Sequence, residues 1–533
     1  EIDSPTSPTS PPSAEQGLVP MMRVDRCHQA QPILVLFLQA AAVAAAAAGK
    51  EATCAAGAGK CGAAGDYYWP TQKGDAGRTG FSPFTVPDIV KPPTWTWEDP
   101  HQDTIRATPL IDEKKNVYLS TVAGRVYKFD QHGKMLWRKR LQTGIPAVGC
   151  LYGGKLFLPM KIGRVVAMDM ETGLEVWNVL VSTVHVTSPD TASVFCQDGI
   201  ILSATHNIPA TGSGNSDVVA QRAEDGKIMW RFNPDVYTFN FQASSPGDDT
   251  VVFQDRSGGL YRLGLSDGQV IWKSGKRGPL WQTTFTTGAA VCHEGRVFVV
   301  SNNFSGTPSM PGGGILHTYA LDDGKLLWEQ GLMYAANQAV TVGPNPADKS
   351  KSIAVVGMGS NPQYPFALVA SAIGVIGADP VSKLLRNIAE WVDLNLGFLF
   401  VNNPSAMAAY DAETGGRLWH YELPAFRKPS TSGDSERYSQ RSSDLTSMKN
   451  PYNDNICLPD SCSQPVIGPD GTAYMGWQDG RIYAIKDANG DGKIDKSEVS
   501  WYQVSDGFQG SMGLAPGMFA AAPCGGGLYV WTT

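Results

Sequence analysis

Tryptophan recurs along this 533-residue chain at nearly regular steps, and each time it closes the same short phrase. The phrase is an alternating strand, an acidic residue, a turn with glycine, and a second apolar strand ending on the indole. It reads GRVYKFDQHGKMLW over 124–137, GRVVAMDMETGLEVW over 163–177, VVAQRAEDGKIMW over 218–230 and GLYRLGLSDGQVIW over 259–272. LHTYALDDGKLLW over 316–328 and AMAAYDAETGGRLW over 406–419 follow, and GRIYAIKD at 480–487 reaches Trp501 after a longer turn. Counted from Trp97, the spacings are 40, 40, 53, 42, 56, 91 and 82 residues. Alternating side chains face opposite sides of a sheet. Glycine supplies the positive-φ position that doubles the chain back as a hairpin. Units of four short strands repeating every ~40–45 residues are propeller blades, none able to bury its faces alone.

The chain ends complete the pattern. Ala520–Thr533 reads as inner strands of a blade that then stops, and Pro93–Pro100 (PTWTWEDP) as an outer strand with no inner strands before it. Together they make one composite blade that seals the ring and removes free edges. The expected fold is therefore all-β: a β-propeller of four-stranded antiparallel blades, eight in number, closed by N- and C-terminal strands, over 93–533. The gap of 91 residues admits a ninth blade, because Gly374–Leu385 loosely resembles the hairpin. It also admits an insertion, since Val381, Leu384, Leu385, Ile388 and Val392 keep helical spacing after the apolar run Phe366–Ala378. Eight blades with insertions at 362–403 and 424–460 is the reading adopted.

The first residue is not Met. From Met22 the order is basic residues (Arg23, Arg26), an apolar run (Pro32–Ala48), then small residues, as in a secretory signal peptide. On this reading 1–21 is a non-native leader, 22–49 a signal peptide and 50–92 a Gly/Ala/Pro-rich lead-in. An uncleaved anchor and a longer plastid-targeting leader begin the same way. The expected location is the secretory pathway, either extracellular or an organelle lumen. Of the nine cysteines, Cys27 leaves with the signal peptide. Cys54 with Cys61 and Cys457 with Cys462 are spaced to close small disulfides. Cys150, Cys196, Cys292 and Cys524 recur in successive repeats and are expected to be small buried residues, with equivalent positions on neighbouring blades too far apart to bridge. A net charge of −7 without clustered Lys/Arg gives no reason to expect nucleic acid.

The motifs YKFD…LW, AMDMETG…W, YALDDG…LW and AYDAETG…LW resemble the PQQ-like, or quinoprotein-like, β-propeller repeat family, and Trp69–Pro87 resembles the leader many such proteins carry. The resemblance covers roughly 67–533. The family holds pyrroloquinoline-quinone (PQQ)-dependent alcohol dehydrogenases and cofactor-free scaffolds such as the bacterial outer-membrane assembly lipoprotein. The dehydrogenases carry an adjacent Cys–Cys pair over the quinone, which this chain lacks. No catalytic residue and no quinone-binding residue maps onto it. The resemblance thus implies a scaffold and no PQQ; an alcohol or sugar dehydrogenase is the alternative.

One motif carries ion chemistry. DANGDGKIDKSE (487–498) matches the twelve-residue EF-hand loop. Asp487, Asn489 and Asp491 stand at positions 1, 3 and 5, with Lys493 offering its carbonyl at 7. Asp495 stands at 9 and Glu498 at 12, and Gly492 makes the sharp turn. Oxygen donors at this spacing suit calcium. Both flanks read as strands, so a structural staple is expected rather than a sensor.

The remaining long segments, 206–217, 302–314, 362–403 and 424–460, fall on the face opposite the calcium loop. That face is where a protein or carbohydrate ligand is expected, with peripheral membrane contact through 366–400 as a further reading. Asn303 opens an N-glycosylation sequon.

Overall fold

The computed structural model describes residues 67–182, 192–205, 217–238, 240–278, 289–302, 313–359, 402–428 and 461–533, with seven further residues between 384 and 399. The leader, the signal peptide, most of both insertions, the Asn303 sequon and Cys27, Cys54, Cys61 and Cys457 lie outside the described residues.

Eight antiparallel sheets make the fold. Blade 1 runs from Leu110 to Arg140, blade 2 from Cys150 to Leu180, blade 3 from Phe195 to Phe232 and blade 4 from Thr250 to Ser274. Blade 5 spans Val291–Gly331, blade 6 Thr341–Phe426 and blade 7 Val466–Gln503. Blade 8 is composite: Trp95–Glu98 pairs with Gly527–Thr532 as its outermost strand, Trp95 opposite Val530. Ring closure by the two chain ends is as expected. Blade 4 departs from the four-strand rule. Pro246 and Gly247 turn the chain early, and its inner strand shrinks to the single bridge Ser244–Val252. The strands flanking 360–402 pair directly, Gly359 opposite Ser405, so that stretch is an insertion within blade 6.

A repeated contact locks six of the eight blades to the next. The indoles of Trp95, Trp137, Trp177, Trp230, Trp272 and Trp328 lie where a Cβ on Gly133, Gly173, Gly226, Gly268, Gly324 and Gly415 of the following blade would stand, within 3 Å. The indole N–H of Trp137 donates to the Met170 carbonyl (3.1 Å), Trp177 to Ala223 (3.1 Å), Trp230 to Leu265 (3.0 Å) and Trp272 to Leu321 (2.9 Å). Each glycine has positive φ, so the turn needs glycine twice over: for its backbone and for the ring against it. In blades 1 to 6 a β-bulge sits beside the tryptophan, pushing the preceding residue (Leu136, for example) outward.

Three tryptophans used to count the period, Trp97, Trp419 and Trp501, do not make this contact. In blade 8 the docked indole is Trp95, while Trp97 packs at a tilt against Tyr127 and Phe129. Blade 7 has no bulge, and Ser500, opposite Ala484, occupies the docking position. Trp501, one residue on, therefore points to the other face, is 45% exposed, and carries the Arg481 guanidinium 4.5 Å over its ring.

The expectation that Cys150, Cys196 and Cys524 are simple buried residues is overturned. Cys150 and Cys196 form a disulfide between blades 2 and 3, with Cα atoms 6.2 Å apart, and Cys524 is disulfide-bonded as well. Cys150 and Cys196 are near enough to bridge because they sit on the innermost strands, Cys150–Tyr152 and Phe195–Gln197. There adjacent blades converge closely enough for backbone pairing, Val194 N–H to Val148 O at 2.9 Å. Cys292 is a free, buried thiol.

Candidate functional site

Two places concentrate polar chemistry: the loop 487–498 and the axis of the ring.

The loop joins the third and fourth strands of blade 7, Arg481–Ile485 and Val499–Gln503. Its flanks are strands, as the sequence indicates, and Gly490 and Gly492 take positive φ. Asp487 is buried and accepts the amides of Gly490 (2.8 Å) and Gly492 (3.1 Å). Glu498 reaches back to the Ala488 amide (2.8 Å) and takes the Asp495 amide (3.1 Å), and these bonds hold its carboxyl below the usual range. Asn489 accepts from the Asp491 amide (2.9 Å), and Asp491 from the Lys493 amide (2.8 Å). The structure thus brings positions 1 and 12 to the neck of the loop. The donors are of the right kind for a hard cation. Their oxygens are spent on loop amides, however, and among the described residues no three acidic, histidine or cysteine side chains converge on a metal position.

The loop also stands where other blades carry their glycine turn. Ile494 packs against the cluster holding Trp419 of blade 6, and a Cβ on Gly492 would lie 2.9 Å from the Leu418 carbonyl. The long loop therefore replaces the tryptophan–glycine contact between blades 6 and 7 with an apolar anchor of its own.

The axis was not foreseen. Residues 69–85 circle the inside of the ring and bond every blade in turn. Trp69 exchanges two backbone bonds with Ile111 of blade 1, Pro70 O accepts from Leu151 of blade 2, and Thr71 Oγ1 donates to Val194 beside blade 3. Ala76 O accepts from Ser245, Gly77 O from Cys292, Thr79 O from Val342, Gly80 O from Ile467 and Thr85 O from Gly517, in blades 4 to 8. This belt satisfies the free edges of the innermost strands. The side chains of Gln72, Lys73 and Arg78 are fully buried. Arg78 donates to the carbonyls of Ala243 (2.9 Å) and Gln72 (2.8 Å) and to Thr71 Oγ1 (2.9 Å). Lys73 donates to Val340 O and Thr341 Oγ1. Burial lowers Arg78 to about 9, lowers Lys73 well below its ordinary value and raises Asp75. Across the axis, Gln464 takes the Gln72 amide (3.0 Å) and gives its own to Gln242 (3.1 Å). The centre of the propeller is filled by protein. The resemblance of 69–87 to a family leader was the only sequence signal for the belt.

Residues 94–274 match the family model described as outer membrane protein assembly factor BamB. The curated protein of that name from Moranella endobia is 25% identical over 258 residues, 43% of this chain and 59% of that protein. This chain thus matches less than two thirds of that relative's length. The crystal structure of BamB from Moraxella catarrhalis superposes with a TM-score of 0.50 at 12% identity, over 83% of this chain and 99% of that one. Quinohemoprotein alcohol dehydrogenase from Comamonas testosteroni gives 0.52 at 12% identity, over 88% and 81%. At such identities the superpositions show the shared fold.

Proposed function

Because residues 94–274 carry PQQ-like repeats of the BamB type, we propose that this protein is a non-enzymatic scaffold that binds a protein partner in an extracytoplasmic compartment. The filled axis carries this reading. A propeller's central channel is its natural cavity for a cofactor or small substrate. Here the belt closes it with buried side chains already bonded to the ring, and a quinone there would have to displace them. The inter-blade disulfide supports an oxidising compartment, and the curated relative is by its name an outer-membrane assembly factor.

The binding face we propose is the one bearing the long segments. Among the described residues of the blade 6 insertion, Leu384, Ile388 and Trp391 are half exposed or more. They support contact with a partner or a membrane surface through 366–400. Calcium at 487–498 is proposed as a staple between blades 6 and 7, held by Asp487, Asn489, Asp491, Asp495, Glu498 and the Lys493 carbonyl. Its support is the motif and the loop's packing on blade 6.

Two measurements test the scaffold reading. Purified full chain supplied with PQQ and calcium is expected to show no dye-linked alcohol or sugar oxidation. Crosslinking in the native compartment is expected to yield one partner that is lost when 362–403 is replaced by a short linker. Quinone-dependent turnover would replace this reading with the dehydrogenase one.

A further inference from the structure

On the face that carries the calcium loop, blades 5 and 6 part around a cavity of about 150 Å³. Its walls are two hairpin turns and the blade 6 turn at Asp411–Glu413. The first hairpin, His293–Arg296, turns tightly through Glu294 and Gly295, both at positive φ. The second is closed by the Asn345 amide on the Lys351 carbonyl (2.9 Å) and by the Ser350 amide on Asp348 (3.1 Å). The lining side chains thus project from short, fixed turns.

Those side chains are under-engaged. Arg296 reaches Glu413 only at 3.8 Å and the Glu294 carbonyl at 3.4 Å, and its buried Nε has no hydrogen-bond partner. Glu294 stands 3.5 Å from His293 and 3.4 Å from the Ser352 hydroxyl, and Lys351 stands 3.9 Å from Asp348. Elsewhere on the same face ion pairs close to 2.8 Å (Lys114–Glu171) and 2.9 Å (Lys486–Asp470). Contacts of ordinary length join His293 to Ser352 (3.0 Å), Ser350 to Asp348 (2.6 Å) and the Thr414 amide and hydroxyl to Asp411 (2.8 and 2.9 Å). Arg296, Lys351, Glu294 and Glu413 are therefore arranged around a space wide enough for a small molecule, too far apart to satisfy one another. Three carboxylates (Glu294, Asp411, Glu413) face two cations (Arg296, Lys351), so the site favours neither a strong anion nor a polycation. A neutral ligand with several hydroxyls answers each of these groups, because every hydroxyl both donates and accepts. We propose that this cavity is a binding site for a monosaccharide or similar small polyol, with Arg296 and Glu413 as its charged hydrogen-bonding partners.

The test is equilibrium titration of the full chain with D-glucose, D-galactose and myo-inositol, beside acetate and methylammonium as anion and cation probes. One polyol is expected to saturate the protein. Arg296→Gln and Glu413→Gln are each expected to weaken that binding about tenfold, the usual effect of losing one charge-assisted hydrogen bond. Lys114→Met, on the same face outside the cavity, is expected to leave it unchanged. All variants are checked for wild-type melting temperature. Saturation by acetate or methylammonium in preference to every polyol would overturn the proposal. So would the absence of saturable binding, or polyol binding that survives both cavity substitutions. The site does not depend on the scaffold reading.

Discussion

The hydroxyl oxygen of Ser244 lies 3.2 Å from the sulfur of Cys292, joining blades 4 and 5 by the relationship that Cys150 and Cys196 have between blades 2 and 3. In both places the inner strands are linked two residues earlier. Val194 donates to Val148 at 2.9 Å, and Ala290 to Gln242 at 3.4 Å. One junction has a disulfide and its counterpart has a serine facing a thiol. Burial raises the Cys292 thiol to about 12, so it is inert in the folded protein.

Ser244→Cys is accordingly expected to form a disulfide with Cys292 when the protein folds under oxidising conditions. Closing that loop stabilises by about 2–4 kcal/mol. Thiol counting under denaturing, non-reducing conditions and chemical denaturation check it. A variant with two titratable thiols at these positions would show that the junctions are not equivalent.

The tryptophan–glycine lock makes a contrast between two glycines of similar backbone. Gly173 has φ +67 and the Trp137 ring 2.8 Å from a would-be Cβ, whereas Gly154 has φ +74 and open space. Gly154→Ala is expected to cost about 1 kcal/mol, the strain of a left-handed alanine. Gly173→Ala adds displacement of a packed indole and is expected to cost about 2–4 kcal/mol. Denaturant midpoints of the two variants read the difference directly. Equal losses would mean the ring yields freely.

His317 in blade 5 is buried, with its Nε2 2.6 Å from the Ser301 hydroxyl, and burial lowers its pKa to about 4. Between about 6.5, where an unfolded histidine titrates, and 4, the unfolded chain binds a proton that the native one refuses. Its contribution to stability is therefore complete above pH 6.5 and is lost as pH falls toward 4. The difference in stability between wild type and His317→Gln, measured by denaturation across that window, is expected to shrink with acidification. A constant difference would show that the imidazole titrates normally.

Variants in the loop 487–498 separate the proposed ion binding from packing. Asp487→Ala or Glu498→Ala is expected to lower the melting temperature in calcium and to abolish its dependence on the ion. Ile494→Ser is expected to lower stability equally with calcium or chelator, by about 1–3 kcal/mol, because Ile494 packs against the cluster holding Trp419 whether or not an ion is present. Identical melting of wild type in calcium and in chelator would remove the staple.

Blade architecture was legible in the sequence because its cause is local. Strand alternation, a glycine turn and a closing indole lie within about fifteen residues of one another, and repetition makes them conspicuous. The same locality made the composite blade and the strand-flanked loop 487–498 readable. What lay beyond reach depends on how blades approach one another. A single missing bulge turns Trp501 outward and leaves Ser500 in its place. Convergence at the axis brings Cys150 to Cys196, and the belt 69–85 finds partners as far along the chain as Gly517, bonded to Thr85. The cavity joins turns near 294, 351 and 413, whose residues carry no shared motif. The sequence alone determined the unit and its repetition, because those follow from neighbours in the chain. The tertiary structure decided which faces meet and what fills the centre, because ring closure sets those distances only when all eight blades are in place.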